Sequence, residues 1–169
     1  MVDLRVGLRV ERAWNDDPGL LAAVRASFAY SPPGDDRATG YLYEQPGHGW
    51  PAPLAVAGPA LLDDLAGLLD VCFTVVAFQA YRGGTGCDWH TDLAFDAQAV
   101  LSLGVTRTFG VRLLADDGSY GEPDWLAVHH GDLVVMPSGF QAQWQHCVPA
   151  EPVAGERVSL VFRTVERGS

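Results

Sequence analysis

Arg157-Val158-Ser159-Leu160-Val161-Phe162-Arg163 is the stretch on which the fold turns. A strand period of two sends Val158, Leu160 and Phe162 into one packed layer. Arg157, Ser159, Val161 and Arg163 then share the other face. A solvated face would account for two arginines. Two features favour a lined site instead. The segment closes a long series of strand-like stretches, so it reads as a central strand. Arginine, with five donors in a fixed fork, is also the side chain best shaped to grip a carboxylate.

Working back from this strand, period two extends to about residue 72. Strands are expected at 72–82, 88–93, 99–104, 107–114, 125–128, 132–136, 143–148 and 157–164. The turn signals GGTG, DDGSYGEP, HHGD, PSG and PVAG fall between them. Upstream the period is helical. Asp16, Asp17 and Pro18 read as a helix start, and Leu20, Leu21, Val24 and Phe28 follow on one face, ending near Tyr30. A second helix opens at Pro59, with Leu61, Leu62, Leu65, Leu68 and Leu69 on one side. Between the helices, residues 31–58 are rich in Gly, Pro and aromatics without clear period, and read as a functional loop or lid. The fold class is α+β, mainly β: a sandwich or barrel buttressed by N-terminal helices.

Composition bounds the function. The chain has 169 residues, 48% hydrophobic and 19% charged, which supports a full core in one domain over 1–169 and excludes disorder. No apolar run approaches the roughly 18 residues of a membrane span. The opening MVDLRVGLRVERAW, charged and alternating, is not expected to be a secretory signal. A cytoplasmic monomer with no membrane partner is expected. The 11 basic residues, all arginine, face 21 acidic ones for a net charge of -10, a balance that repels a phosphate backbone. Cys72, Cys87 and Cys147 are odd in number, lack a CxxC spacing and suit reduced thiols.

Within the strand series, Gln79 and Tyr81 emerge side by side at the end of 73–81, either as a hairpin edge or as donors lining a cavity. His90 and Asp92, at i and i+2, project to the same side of an extended segment and can occupy adjacent corners of one metal. A third ligand is needed from elsewhere. His129 and His130 read as turn residues before Gly131, and His48 sits in the Gly-Pro stretch. His146, inside a strand pattern shortly before the arginine strand, is the choice. Two histidines and one carboxylate with open positions form the facial triad of non-haem Fe(II) oxygenases.

Taken together, GYLY (40–43), WPAP (50–53), FQAYRGGTGCDWHTD (78–92), LSLG (101–104), HGDLVVM (130–136), QHCVP (145–149) and RVSLVFR (157–163) resemble the AlkB-like Fe(II)/2-oxoglutarate-dependent dioxygenases. The resemblance implies a double-stranded β-helix (jelly roll). It implies Fe(II) on His90, Asp92 and His146, with 2-oxoglutarate as co-substrate and O2 as oxidant. Tyr81 and Arg157 match the groups that hold one carboxylate of 2-oxoglutarate, with Ser159 in support and Arg163 at the keto-acid end. Gln79 stands where the family usually has Asn. The implied reaction consumes 2-oxoglutarate and O2, yields succinate and CO2, and hydroxylates a C–H bond; on an N-methyl group it releases formaldehyde.

For the substrate, the resemblance implies a methylated nucleobase in single-stranded DNA or RNA, gripped by lid aromatics. Tyr41, Tyr43 and Trp50 are the candidates, with Arg82 beside them; ordinary packing of a loop is the competing account of these aromatics. Arg37, Arg82, Arg107 and Arg112 are candidates for a basic rim. Two departures stand out: the acidic residue that repair members carry shortly after the HxD motif is replaced by Leu93-Ala94-Phe95 with Asp96 behind it, and the net charge is acidic. The same chemistry on a small molecule or protein side chain is the alternative. A jelly-roll binding module without catalysis is the third reading, and the intact triad and both arginines oppose it.

Overall fold

The computed structural model describes residues 2–3, 7–28, 37–44, 49–92, 97–152 and 155–164. Eleven strands among them form two antiparallel sheets. They are β1 (Val2–Asp3), β2 (Arg9–Glu11), β3 (Arg37–Glu44), β4 (Val75–Tyr81), β5 (Cys87–His90), β6 (Gln98–Gly104), β7 (Arg107–Leu113), β8 (Asp124–Val128), β9 (Leu133–Met136), β10 (Trp144–Val148) and β11 (Arg157–Arg163). The large sheet runs β1-β2-β9-β6-β11-β4-β3 and the small one β5-β10-β7-β8. This is the two-sheet arrangement of a jelly roll.

β11 is a central strand, paired on one side with β4 and on the other with β6. Its two faces go where period two sends them. Val158, Leu160 and Phe162 join the core beneath the helices, with Leu20, Val24, Leu61, Leu65, Val76 and Phe78. Val161 joins the core between the sheets, with Tyr81, Val100, Phe109, Val111, Val134 and Val148. Arg157, Ser159 and Arg163 share that inter-sheet side.

The helices that cover the outer layer are α1 (Pro18–Ala26) and α2 (Ala57–Leu69). Asp17 caps α1, its Oδ1 accepting from Gly19 N at 2.8 Å, and Pro18 fills the first turn, where no N–H is required. α1 stops at Ala26, short of the expected end near Tyr30, which lies outside the described residues. α2 starts two residues before Pro59. A one-turn helix, α3 (Phe140–Gln143), precedes β10. At the end of β6, Gly104 has φ +96°, and a Cβ there would sit 2.2 Å from the Glu156 carbonyl oxygen, so the turn into β7 excludes side chains.

The stretch read as an irregular lid is corrected in part. GYLY lies in β3, an edge strand hydrogen-bonded to β4. Its register shifts between Tyr41 and Tyr43: Tyr41 opposes Ala77 and Tyr43 opposes Val76. Such a bulge places two successive residues against one partner and reverses which face the next side chain takes. Leu42 and Tyr43 both pack toward the helices, while Tyr41 stays outside that core. Residues 31–36 and 45–48 of the expected lid lie outside the described residues. No helix among the described residues is long and apolar enough to cross a membrane.

Candidate metal and co-substrate site

The small sheet brings the histidines together. In the β5–β10 ladder His90 lies directly opposite His146, with ring centroids 4.3 Å apart. Asp92 follows two residues after the end of β5 and turns back toward them; its Oδ2 is 3.7 Å from His146 Nε2. The three residues offer ligand atoms within 4.8 Å of one another. His90 Nδ1 lies 2.7 Å from the Asp88 carbonyl oxygen. A carbonyl only accepts, so Nδ1 carries the proton and Nε2 keeps its lone pair for a metal.

Electrostatics favour the ligand forms of His146 and Asp92, whereas the hydrogen bond with Cys87 raises the His90 imidazole above its ordinary value. Burial pushes the His146 imidazole down to about 4, and the neighbouring His90 adds to the effect, so it is neutral. Burial alone would raise Asp92. Arg163, His146 and a hydrogen bond from Gln98 outweigh that and hold its carboxyl below the ordinary value. A neutral imidazole beside an ionised carboxylate is the state that binds a cation.

The large sheet supplies the second half. Register places Arg157 opposite Tyr81 and Gly104, Ser159 opposite Gln79 and Ser102, and Arg163 opposite Gln98. Arg157 is 1% exposed. Its Nε donates to Ser102 Oγ at 2.9 Å and its guanidinium lies 5.4 Å from the centre of the Tyr81 ring. Its NH1 is buried and has no hydrogen-bond partner among the described residues. Tyr81 donates its hydroxyl to Gln79 Oε1 at 2.6 Å. Arg163 NH2 is 3.0 Å from Asp92 Oδ1, so this arginine reaches across to the metal group. Gln79, Tyr81, His90, Asp92, His146, Arg157, Ser159 and Arg163 all line one cavity of about 20 Å³ between the sheets. A buried guanidinium with an unused donor is costly unless an acceptor comes to it. The donors fit a carboxylate next to the metal triad.

The substrate candidates separate. Tyr41 is 66% exposed and lines a surface groove with Thr39, Ala77, Gln79, Asp92 and Arg163. Tyr43 and Trp50 stack on each other, centroids 4.9 Å apart. Trp50 also lies so close over Gly58 of α2 that a Cβ there would meet its ring at 2.2 Å. They pack against the core under the helices and line a different hollow, with Leu62, Ala66 and Phe73. Ordinary packing therefore accounts for two of the three aromatics.

Three of the four arginines expected at a basic rim are engaged within the fold. Arg82 Nε pairs with Glu156 Oε1 at 3.0 Å, and Arg25 binds the same carboxylate. Arg107 is 2% exposed, pairs with Glu151 at 2.8 Å and donates to the carbonyls of Gly84, Thr85 and Pro149. Arg112 lies between the rings of Trp89 and Tyr120 and binds Gln145. The side chain of Arg37 and residues 93–96, where the acidic departure falls, lie outside the described residues.

Sequence reasoning missed Gln98, Gln141 and Ser102 at the site. Ser102 was within reach, since it sits in the quoted LSLG. Gln98 opens β6 one residue before the expected start and carries no pattern of its own. Cys87 and Cys147 also line the cavity, and none of the three cysteines forms a disulfide.

No family model matches the chain. Among curated proteins, the alpha-ketoglutarate-dependent dioxygenase AlkB homolog 3 of Rattus norvegicus is 40% identical over 89 residues, covering 46% of this chain. The Homo sapiens protein of that name is also 40% identical over 89 residues, again covering 46% of this chain. The match spans only 30% of the rat relative's length and 31% of the human one's. Among solved structures, an oxidoreductase of the 2OG-Fe(II) oxygenase family from Burkholderia pseudomallei aligns with TM-score 0.67 at 14% identity, over 98% of this chain and 87% of its own. OsALKBH1 aligns with TM-score 0.59 at 15% identity, over 95% of this chain and 99% of its own. A prolyl-4-hydroxylase from Pseudomonas putida aligns with TM-score 0.58 at 21% identity, over 96% and 94%. Over part of the chain the sequence is similar to AlkB homolog 3, and over nearly all of it the fold is the jelly roll of the solved 2OG-Fe(II) oxygenase structures.

Proposed function

We propose that the chain is an Fe(II)- and 2-oxoglutarate-dependent dioxygenase that oxidatively demethylates an alkylated base in single-stranded nucleic acid. One observation carries the chemistry: a buried arginine with an unused donor faces the same cavity as a His-Asp-His cluster. His90, Asp92 and His146 would hold the metal on one side and leave its other positions open. Arg157, steadied by Ser102, would take the distal carboxylate of 2-oxoglutarate, with Tyr81 and Ser159 beside it. Arg163 would serve the keto-acid end while bracing Asp92. Val100, Phe109, Val148 and Val161 close the cavity with apolar walls that exclude water. When bound, Fe(II) with 2-oxoglutarate and O2 supplies the oxidative decarboxylation and C–H hydroxylation.

Tyr41 supports a planar substrate. It is the exposed aromatic on a groove that runs to Asp92 and Arg163, placed for a flipped base to stack on. A second reading, a small molecule or protein side chain, is favoured by the acidic balance of -10 and by the internal ion pairs that engage Arg82 and Arg107. The absence of disulfides among the three cysteines suits a reducing, cytoplasmic setting.

The test uses protein with Fe(II), 2-oxoglutarate and ascorbate, offered single-stranded oligonucleotides carrying 1-methyladenine or 3-methylcytosine. Loss of the methyl mass with matching succinate is the expected result. Succinate without demethylation would move the substrate to the second reading. No succinate and no bound metal would overturn the enzyme itself.

A further inference from the structure

We propose that Gln98, assisted by Gln141, is a positioning residue that sets which oxygen of Asp92 faces the metal. The inference rests on the metal reading above. Asp92 lies beyond the end of β5, so no sheet ladder fixes its backbone or its rotamer. Three side chains from three other elements do so instead. Gln141 of α3 accepts the Asp92 backbone N–H on its Oε1 at 3.0 Å, and its own amide reaches Met136 Sδ at 3.5 Å. Arg163 of β11 holds Oδ1 at 3.0 Å. Gln98 of β6 donates its amide to Oδ2 at 2.7 Å. Gln98 and Arg163 are direct cross-strand partners, so one rung of the large sheet grips both oxygens.

The two grips are unequal. Arg163 brings a full charge to Oδ1. Gln98 brings a neutral donor to Oδ2, the oxygen that lies 3.7 Å from His146 Nε2. A neutral donor fixes the direction of Oδ2 without neutralising its charge, which stays available to a cation. Arginine at both oxygens would compete with the metal, and an apolar side chain would let the carboxylate swing.

Gln98 also costs the fold something. It is 2% exposed, and its Oε1 is buried without a partner among the described residues. A half-satisfied buried amide destabilises a chain relative to an apolar side chain of the same size. In the empty protein the hydrogen bond to Asp92 offsets that cost, so Gln98 adds little net stability there, and an effect confined to the loaded protein separates positioning from packing. Partners that orient a metal ligand typically change affinity by ten- to hundredfold when removed.

The experiment titrates metal-free protein with Co(II) and follows its visible absorption bands, while thermal unfolding of the metal-free form runs in parallel. Wild type, Gln98→Leu and Gln98→Glu are compared. Gln98→Leu is expected to bind Co(II) about ten- to hundredfold more weakly, with altered bands, and to unfold close to wild type in the metal-free form. Gln98→Glu restores size and polarity but not the neutral donor, and its bands are expected to differ from those of both. Equal Co(II) affinity and unchanged bands in Gln98→Leu would overturn the inference and leave the metal reading intact. Failure of wild type to bind Co(II) would overturn both. Should Gln98→Leu not fold, Gln98→Met and Gln141→Ala put the same question, and wild-type affinity in both would overturn the inference.

Discussion

Arg107 and Arg157 are buried almost equally, at 2% and 1% exposure, yet they end differently. Arg107 lies where β7 begins, and the protein satisfies it. Its Nε meets Glu151, its NH2 meets three backbone carbonyls, and Glu151 also accepts from Thr108 N and Oγ1. That network staples the loops around Gly84 and Pro149. Arg157, on the floor of the cavity, has Ser102 and Tyr81, and its NH1 has no partner among the described residues. Burial alone does not distinguish a structural arginine from a binding one. The distinction is whether the protein finishes its hydrogen bonds.

The largest effect is expected at the cavity. His146→Ala or Asp92→Ala should reduce Fe(II)-dependent turnover to background, read as succinate formed, because two ligands do not retain the metal. Full activity in either would remove the ligand assignment.

The arginine comparison breaks next. Arg107→Met should cost about 2–3 kcal/mol of stability in urea unfolding, because it strands a carboxylate and several carbonyls. Arg157→Met should leave the stability of the empty protein unchanged or higher. It should raise the 2-oxoglutarate concentration needed for half-maximal turnover by roughly a hundredfold, the worth of about two charged hydrogen bonds. If both variants lose stability alike, the contrast fails.

A second pair sharpens it at the lid. Trp50→Ala should destabilise by about 2–3 kcal/mol, since it empties the space between Gly58 and Tyr43. Tyr41→Ala should not lower the melting temperature but should weaken oligonucleotide binding by roughly 1–3 kcal/mol. A fall in melting temperature for Tyr41→Ala would make it a packing residue too.

The smallest effect is in pH. Burial alone would raise the Glu151 carboxyl; hydrogen bonds from Thr108 and Arg107 outweigh this and hold it below its ordinary value. A depressed folded pKa gives stability that is present above the unfolded value, about 4.3, and is lost as pH falls through the folded one. Wild type should lose melting temperature below about pH 5, and Glu151→Gln should lose less over the same range. Parallel curves would mean that Glu151 contributes nothing there.

What could be read from residues alone follows from how local each signal is. The alternation of Val158, Leu160 and Phe162 against Arg157 and Arg163 is a period-two pattern, and it placed both layers of β11. His90 and Asp92 were legible because two residues suffice to bring them together. His146 required a choice among histidines, and cross-strand pairing with His90 is a long-range fact. β3 was read as loop because a bulge breaks its period at Leu42 and Tyr43, and the same bulge split two tyrosines that simple alternation would keep together. Gln98 and the Arg107 staple were illegible for another reason. Their meaning lies in partners that are distant in sequence, and nothing beside them announces it.

The metal ligands stand on the small sheet and its trailing loop, whereas Arg157 stands on the large one. The spacing between a metal held there and a carboxylate on Arg157 would thus be set by the core between the sheets, where Val100, Phe109, Val111 and Val161 pack. Those valines and that phenylalanine work as a calliper. A methyl group lost from them would alter the spacing between the His-Asp-His cluster and Arg157, so ordinary packing residues would share in setting the site.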